Sequence, residues 1–300
     1  MDALLFYAGS DYAQQVVSGL ASGGVYASLA LALVIIYRST GVINFAQGEM
    51  ATFATFIAFS LMHHMSFWPA FALTCGIAFV GGVAVERVVI RPVENASVLL
   101  IVIVTLGLAL MFNGASAWIW GGAVHQFASP FSTRPIHLAG VAFSIQDFGI
   151  IAVSLALVVV LWLLFQFTKL GLALRAAALG PAESRLVGIR VGWMLAIGWG
   201  LAGAIGAVAG MMTAAQLGGL EFNMMLTVLL YAFAAAVLGG LDSLIGAVVG
   251  GLAFGVLLNL IGMWHVVGSA LKLPVGLAVI LLVLLVRPSG LFGRRVLQKV

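Results

Sequence analysis

Residues 178 to 190, which read ALGPAESRLVGIR, concentrate charge in a chain that carries little of it. Glu183, Arg185 and Arg190 fall within this stretch, whereas all 300 residues include only 13 basic and nine acidic side chains. On a helix, side chains two positions apart point to nearly opposite sides, so Glu183 and Arg185 cannot pair with each other. Their charges must be satisfied by solvent or by another chain.

The residues around these charges predict a short helix with a defined start and end. Pro181 suits the first helical position after a break at Gly180, and Gly188 is placed to end the helix. A preceding helical turn is predicted around residues 172 to 179. Together they form a compact helix-break-helix unit.

The second of these helices has one apolar side, which Ala182 and Leu186 share. Two interpretations of the unit stay open. In the first it is a solvated loop, whose basic residues, with Lys169 and Arg175 upstream, only keep it in the cytosol. In the second it is an amphipathic helix that protrudes from a bundle, inserts into a groove of a partner and couples the chain to a cytosolic motor.

A second polar group, formed by Asn44, Gln47 and Glu49, lies near the inner end of an apolar stretch. A charge at the centre of a bilayer costs about 2.5 to 3.5 kcal/mol on insertion scales, so such a side chain is normally turned inward or paired. Arg38 is the nearest cation along the chain. The group either holds the first two spans together at the inner interface or lines the translocation path.

Other reactive chemistry is missing from the sequence. His63 and His64 are adjacent, but the further ligands that a metal site needs are not found. There is no Ser-His-Asp arrangement, no His-Glu-x-x-His pattern, and no Gly-x-x-x-x-Gly-Lys-Ser/Thr loop for nucleotide phosphates. We expect no enzyme activity, no metal and no cofactor in this chain, and any ATP must be bound by another chain.

Composition indicates which elements must position these residues. Hydrophobic residues make up 63% of the chain and charged residues 7%, with a mean hydropathy of +1.22. Soluble domains are roughly half apolar and about a quarter charged. The apolar runs are long and lack the alternation of a membrane β-barrel. We therefore predict an all-α fold, in which residues 1–300 form a single polytopic transmembrane helical bundle.

Charges, prolines and glycine clusters divide the chain into about nine spans, within a range of 8 to 10. They are expected at about 12 to 37, 44 to 62, 67 to 86, 98 to 119, 147 to 168, 191 to 217, 223 to 240, 243 to 266 and 273 to 287. With the N-terminus outside and the C-terminus in the cytosol, 11 of the 13 Lys and Arg residues fall in inner loops, as the positive-inside rule requires. The net charge of +4 then reflects these loops and not affinity for nucleic acid.

This orientation places the segment at about 169 to 190 in the cytosol and the loop at about 120 to 146 outside. The outer loop contains PIHLAGVAFSI, whose alternating apolar residues predict a hairpin around Ala139 and Gly140. Several spans also carry glycines four positions apart. Such spacing predicts close helix packing within one bundle, in preference to a dedicated dimer face.

Four stretches resemble a known family when they are taken in order. They are YRSTGVINFAQGEM at 37 to 50, GLALRAAALGPAESRLVGIRV at 171 to 191, AAVLGGLDSLIGAVVGG at 235 to 251 and LLVRPSGLFG at 284 to 293. The chain resembles the permease subunits of branched-chain amino-acid ABC importers, the LivH type, over nearly its whole length. Asp242 departs from the family, whose members more often have a small residue there, and we expect it to cap the next helix.

The resemblance implies a multi-pass permease in a bacterial inner membrane that imports branched-chain or related amino acids. The implied partners are a second, related permease, two cytosolic ATPase subunits, a periplasmic substrate-binding protein and the lipid bilayer. The segment that would couple to the ATPases holds Arg175, Pro181, Glu183, Arg185, Leu186 and Gly188.

The sequence leaves two questions open, and it also allows one alternative function. The solute could be a branched-chain amino acid, urea, an amide or an aromatic acid, and the two permeases could be identical or different. The alternative is an ion-coupled secondary carrier of a small organic solute. In that case Glu49 would carry the coupling charge.

Overall fold

The helices of this chain account for nearly all of its secondary structure. The computed structural model describes residues 2–132, 134–138, 141–263, 271–287 and 290–293. Its helices are α1 (Asp2–Thr40), α2 (Gln47–Met62), α3 (Phe67–Val85), α4 (Val98–Trp120), α5 (Ile145–Phe167), α6 (Lys169–Leu179), α7 (Pro181–Leu186), α8 (Val191–Leu217), α9 (Met224–Gly239), α10 (Leu244–Gly262) and α11 (Lys272–Val286). The strands are β1 (His125–Gln126), β2 (Pro135–Leu138), β3 (Val141–Ser144) and β4 (Gly219–Leu220).

The long helices have the length and composition of membrane spans. In the described part of the chain, α1, α3, α4, α5, α8 and α10 are long and apolar enough to cross a bilayer, and α9 and α11 are shorter apolar helices. The chain is therefore an all-α polytopic membrane protein, as its composition predicts. Helix α2 has 16 residues, so at 1.5 Å per residue it rises about 24 Å, and the non-helical residues before it must supply the rest of any crossing of about 30 Å of hydrocarbon.

Each of the nine segments predicted as spans coincides with a helix, and most ends agree within a few residues. The main difference is α1, which begins at Asp2 and not near residue 12. Hydropathy locates the part of a helix that lies in the membrane, but it does not locate a helical extension beyond it. The predicted end of the eighth segment at residue 266 lies outside the described residues.

The predicted hairpin in the loop after α4 is present. Strands β2 and β3 pair antiparallel, with Pro135 opposite Ser144 and Leu138 opposite Val141. The predicted turn at Ala139 and Gly140 lies outside the described residues. A second pairing, between β1 and β4, joins the loop after α4 to the loop after α8. We call the end of the bundle that holds these two loops the hairpin end.

Glycines set the closest helix contacts. A side chain at Gly251 or Gly255 of α10 would collide with α1, at the backbone of Ala27 and of Gly23 respectively. Helices α1 and α10 therefore touch along their backbones, which is the role of small residues in membrane helix packing.

Two further pairs of glycines four positions apart also face helices of the same chain. Gly206 and Gly210 of α8 lie against Ala51 of α2, whereas Gly246 and Gly250 of α10 lie against Gly239 of α9. The expectation that the spaced glycines pack within one bundle is confirmed for these pairs.

The end of α3 is fixed to the start of α8. Helix α3 continues through a π-helical turn, Glu86–Ile90, and a 3₁₀ turn, Arg91–Val93. The Arg87 guanidinium lies 3.9 Å from the centre of the Trp193 ring and 3.6 Å from a carboxylate oxygen of Glu86. The cation-π contact joins the two helices, whereas the ion pair is between neighbouring residues of the same turn.

The prediction that Asp242 caps α10 is wrong. The hydroxyl of Ser243 performs this function, because it accepts a hydrogen bond from the backbone N–H of Gly246 at 2.9 Å. Asp242 instead lines a cleft between α1, α5 and α10.

Candidate coupling segment and polar clusters

Two short helices form the segment between α5 and α8, as the sequence predicts. The hydroxyl of Thr168 caps α6 by accepting a hydrogen bond from the N–H of Gly171 at 3.0 Å. Helix α6 ends at Leu179, Gly180 separates it from α7, and Pro181 occupies the first turn of α7. Gly188 follows α7 with a φ of +82°, a conformation that a side chain would strain.

The apolar side of α7 faces away from the bundle. Leu186 is 87% exposed, and the next residue, Val187, is 76% exposed. The residue of α7 that is buried against the bundle is Ser184. Sequence periodicity places Ala182 and Leu186 on one side, but only the structure shows that this side lacks a partner within the described chain. An exposed apolar patch of this kind is typical of an interaction site.

The charged residues of the segment lie in different surroundings. Glu183 is exposed, and its carboxylate lies beside the Cα of Gly180, where an added Cβ would come within 2.6 Å of Oε2. Arg185 is exposed and lines a cavity beneath α7 together with Pro181. In the described residues no ion pair joins Glu183 to Arg185, in agreement with their predicted opposite directions.

Arg175 is directed to the other side of the segment. It lines a cleft of about 830 Å³ that also contains Arg38 and Asp242. The cleft walls are apolar side chains of α1, α5 and α10, and its polar groups lie near the helix ends. The structure therefore does not bring Arg175 together with Glu183 or Arg185 at one site.

Asn44 and Gln47 lie in a buried break between α1 and α2. Residues 41 to 46 are not helical, yet Asn44 is fully buried. Its side-chain oxygen accepts a hydrogen bond from the N–H of Ala46 at 3.0 Å, and its amide donates to Gln47 at 3.2 Å. Gln47 in turn donates to the carbonyl oxygen of Ala202 in α8 at 2.9 Å. The first bond satisfies a backbone N–H of the break, and the other two tie the break to α8.

Glu49 belongs to a different polar cluster from its two neighbours. Its carboxylate accepts a hydrogen bond from the amide of Asn113 in α4 at 3.2 Å. The same amide nitrogen lies 3.2 Å from the carbonyl oxygen of Phe222 and 3.0 Å from the side-chain oxygen of Asn223. Arg38, the cation that the sequence offers, lines the cleft beside α5 and not this cluster. Glu49 therefore links α2 to α4 and to the start of α9.

Sequence reasoning did not connect Asn113 to Glu49, and it missed Asn223 and Glu94. Asn113 and Asn223 are 110 positions apart, so no local pattern connects them. Glu94 shares the cavity beneath α7 with Arg185, and its charge in a nearly uncharged chain is the signal that could have drawn attention to it. Among the described residues no group of three His, Cys, Asp or Glu residues is placed to hold a metal ion.

Comparison with known proteins identifies the family. Residues 15–286 match the model of a family described as branched-chain amino acid transport system / permease component. The high-affinity branched-chain amino acid transport system permease protein BraD of Pseudomonas aeruginosa is 31% identical, over 96% of this chain and 98% of its own. LivH of Escherichia coli is 28% identical over the same shares of both chains.

An archaeal relative gives the same result. The probable branched-chain amino acid transport permease protein LivH of Methanocaldococcus jannaschii is 31% identical over 88% of this chain and 87% of its own. The family match covers most of the sequence, including α7, Glu49 and the helices that hold them. This chain therefore belongs to the family of branched-chain amino acid transport system permease components.

Proposed function

We propose that this chain is the transmembrane permease subunit of an ABC importer that carries branched-chain or related amino acids across a bacterial inner membrane. The observation that carries the proposal is the outward-facing apolar side of α7, in a chain whose relatives are named as transport permeases. A second, related permease, two cytosolic ATPase subunits and a periplasmic substrate-binding protein complete the assembly. ATP is bound by the ATPase subunits.

The proposed coupling element is α7 with the residues that shape it. Gly180 and Pro181 set its start, Gly188 sets its end, and Leu186 presents the apolar side to the ATPase. An amphipathic helix that enters a groove buries its exposed apolar residues there. We propose that movement of the ATPase is passed through α7 to α8, which begins at Val191.

We propose nine spans, with the N-terminus outside and the α7 end of the bundle in the cytosol. The position of three arginines supports this orientation. Two cavities border the α6–α7 segment, and they are lined by Arg38, Arg175 and Arg185. A cluster of basic residues at one end is the pattern of a cytosolic face. The hairpin end would then face the periplasm, where the substrate-binding protein docks.

Cysteine labelling tests the orientation, with positions that the structure shows to be accessible. In a Cys75→Ser background, we expect an impermeant thiol reagent to label Ser132→Cys in intact cells and to label Val187→Cys only after permeabilisation. Both positions are exposed, whereas Ser184 is buried and would react poorly. Labelling of Val187→Cys but not of Ser132→Cys in intact cells would show that the topology is inverted.

Reconstitution with a Glu49 variant separates the importer from an ion-coupled carrier. In Glu49→Gln the charge is lost, but an amide oxygen can still accept the Asn113 hydrogen bond, so the stability should change by no more than about 1 kcal/mol. We expect uptake into proteoliposomes to require ATP and the ATPase subunits in both proteins, with no drive from a proton or sodium gradient. Gradient-driven uptake that disappears in Glu49→Gln would refute the importer.

Co-purification in mild detergent provides the direct test of assembly. The tagged chain is expected to retain ATPase subunits and a second permease. If the purified chain transports solute without them, the proposed function is wrong.

A further inference from the structure

A cavity beneath α7 has the chemistry of an amino-acid site. Its volume is about 180 Å³, roughly ten times the space that one water needs. It lies between α7, the first turns of α8, the break after α1, the residues that follow α3 and the start of α4. Five separate parts of the chain therefore meet around a space large enough for a small solute.

The cavity carries one positive and one negative side chain that do not pair. Arg185 of α7 and Glu94 of the segment after α3 both line it, and no ion pair joins them in the described residues. A guanidinium matches the planar geometry of a carboxylate. A carboxylate accepts hydrogen bonds from an ammonium. The pair is therefore complementary to the two charges of a free α-amino acid.

The walls between these charges combine aliphatic side chains with polar ones such as Asn95 and Thr105. Ile43, Ile90, Ile101 and Leu195 all line the cavity, and Ile90 and Ile101 are buried. Trp199 forms part of the wall, and its buried indole N–H has no hydrogen-bond partner. A branched aliphatic side chain would pack against these aliphatic residues.

We propose that this cavity binds a free aliphatic α-amino acid from the α7 side of the membrane and thereby regulates the permease. Arg185 holds the carboxylate, Glu94 holds the ammonium, and the aliphatic wall holds the side chain. The bound solute touches α7 and the bundle at the same time, so it ties α7 in place. Amino acid that accumulates in the cytosol then slows further import, an effect that rests on the proposed coupling role of α7.

Binding is measured on the purified permease complex without the substrate-binding protein, by equilibrium dialysis with labelled L-leucine. We expect saturable binding, with leucinamide and 4-methylpentanoate each about tenfold weaker or worse, because each lacks one charged contact. Glu94→Gln and Arg185→Gln should each weaken L-leucine binding by a similar factor. Arg190→Gln and Glu221→Gln change exposed charges that do not line the cavity, and they should bind normally.

Three outcomes would overturn the site. The first is the absence of saturable L-leucine binding to the wild-type complex. The second is binding that Glu94→Gln and Arg185→Gln leave unchanged. The third is binding that Glu49→Gln abolishes while Glu94→Gln preserves it, which would place the solute in the translocation path.

Regulation is tested separately in proteoliposomes. L-leucine loaded on the ATPase side should inhibit ATP-driven uptake by the wild type. In Glu94→Gln, the L-leucine concentration that gives half-maximal inhibition should be about ten times higher. Equal inhibition of both proteins would overturn the regulatory role. A wild type that binds L-leucine but shows no ATP-driven uptake at all would instead refute the proposed importer function and leave the site intact.

Discussion

Leu186→Asp is expected to abolish substrate-stimulated ATP hydrolysis by the reconstituted complex while the permease itself still folds. Leu186 is 87% exposed, so the substitution disturbs no packing within the described chain. In a docked α7, however, it would place an unpaired carboxylate in an apolar groove, which is strongly unfavourable. Stimulated ATP hydrolysis, retention of ATPase subunits on the tagged permease and thermal unfolding of the permease measure the three parts of this expectation.

Glu183→Ala gives a graded version of the same experiment. An exposed charge contributes only about 0 to 1 kcal/mol, whereas a charge that loses solvent on docking can contribute about 2 to 5 kcal/mol. We expect the larger effect on ATPase retention, because Glu183 is exposed and forms no ion pair in the described chain.

Val124→Asp is the matched control for Leu186→Asp. Val124 is 67% exposed at the hairpin end, so the same chemical change there should leave ATPase retention normal. If Leu186→Asp and Glu183→Ala both retain full ATPase binding and full stimulation, α7 is a solvated loop and the coupling proposal fails.

The sequence predicts the helical segments well because a single requirement determines them, namely that backbone groups be hydrogen-bonded inside a bilayer. Long apolar runs must form helices in a bilayer, since backbone groups have no other hydrogen-bond partners there. The start of α2 is where apolarity alone is insufficient. Apolarity from residue 44 onward predicts a span, but the chain between Gly41 and Ala46 is non-helical and is stabilised by contacts of Asn44 and Gln47. Those contacts reach α8, more than 150 positions away.

The sequence predicts the bounds of the candidate coupling helix, but it does not predict the contacts between distant residues in the candidate sites. Pro181 and Gly188 bound α7 by backbone rules, and these rules operate within a few residues. Whether Leu186 or Ser184 faces the bundle depends on what α7 packs against. Likewise, the meeting of Glu49 with Asn113, and of Arg185 with Glu94, depends on the arrangement of whole helices. Periodicity contains no information about such partners.

Two adjacent glycines of α3 differ greatly in the space that is available to a side chain. A Cβ at Gly82 would collide with the backbone carbonyl of Trp199 in α8, whereas a Cβ at Gly81 would have nothing within 4 Å. Gly82 is buried and Gly81 is exposed. The sequence shows the two residues side by side and does not distinguish them.

Gly82→Ala is therefore expected to destabilise the permease, and Gly81→Ala is not. The methyl group at position 82 must separate α3 from α8, and overpacking of this kind costs about 1 to 3 kcal/mol. The methyl group at position 81 meets no other atom, and alanine is favoured over glycine in a helix by about 0.5 to 1 kcal/mol. Thermal unfolding in detergent should rank Gly81→Ala at or above the wild type and Gly82→Ala clearly below it. Gly82→Leu should prevent assembly, whereas Gly81→Leu should assemble normally. If Gly82→Leu assembles with wild-type stability, α3 and α8 do not touch along their backbones, and the packing that places Trp199 beside the α7 cavity must be revised.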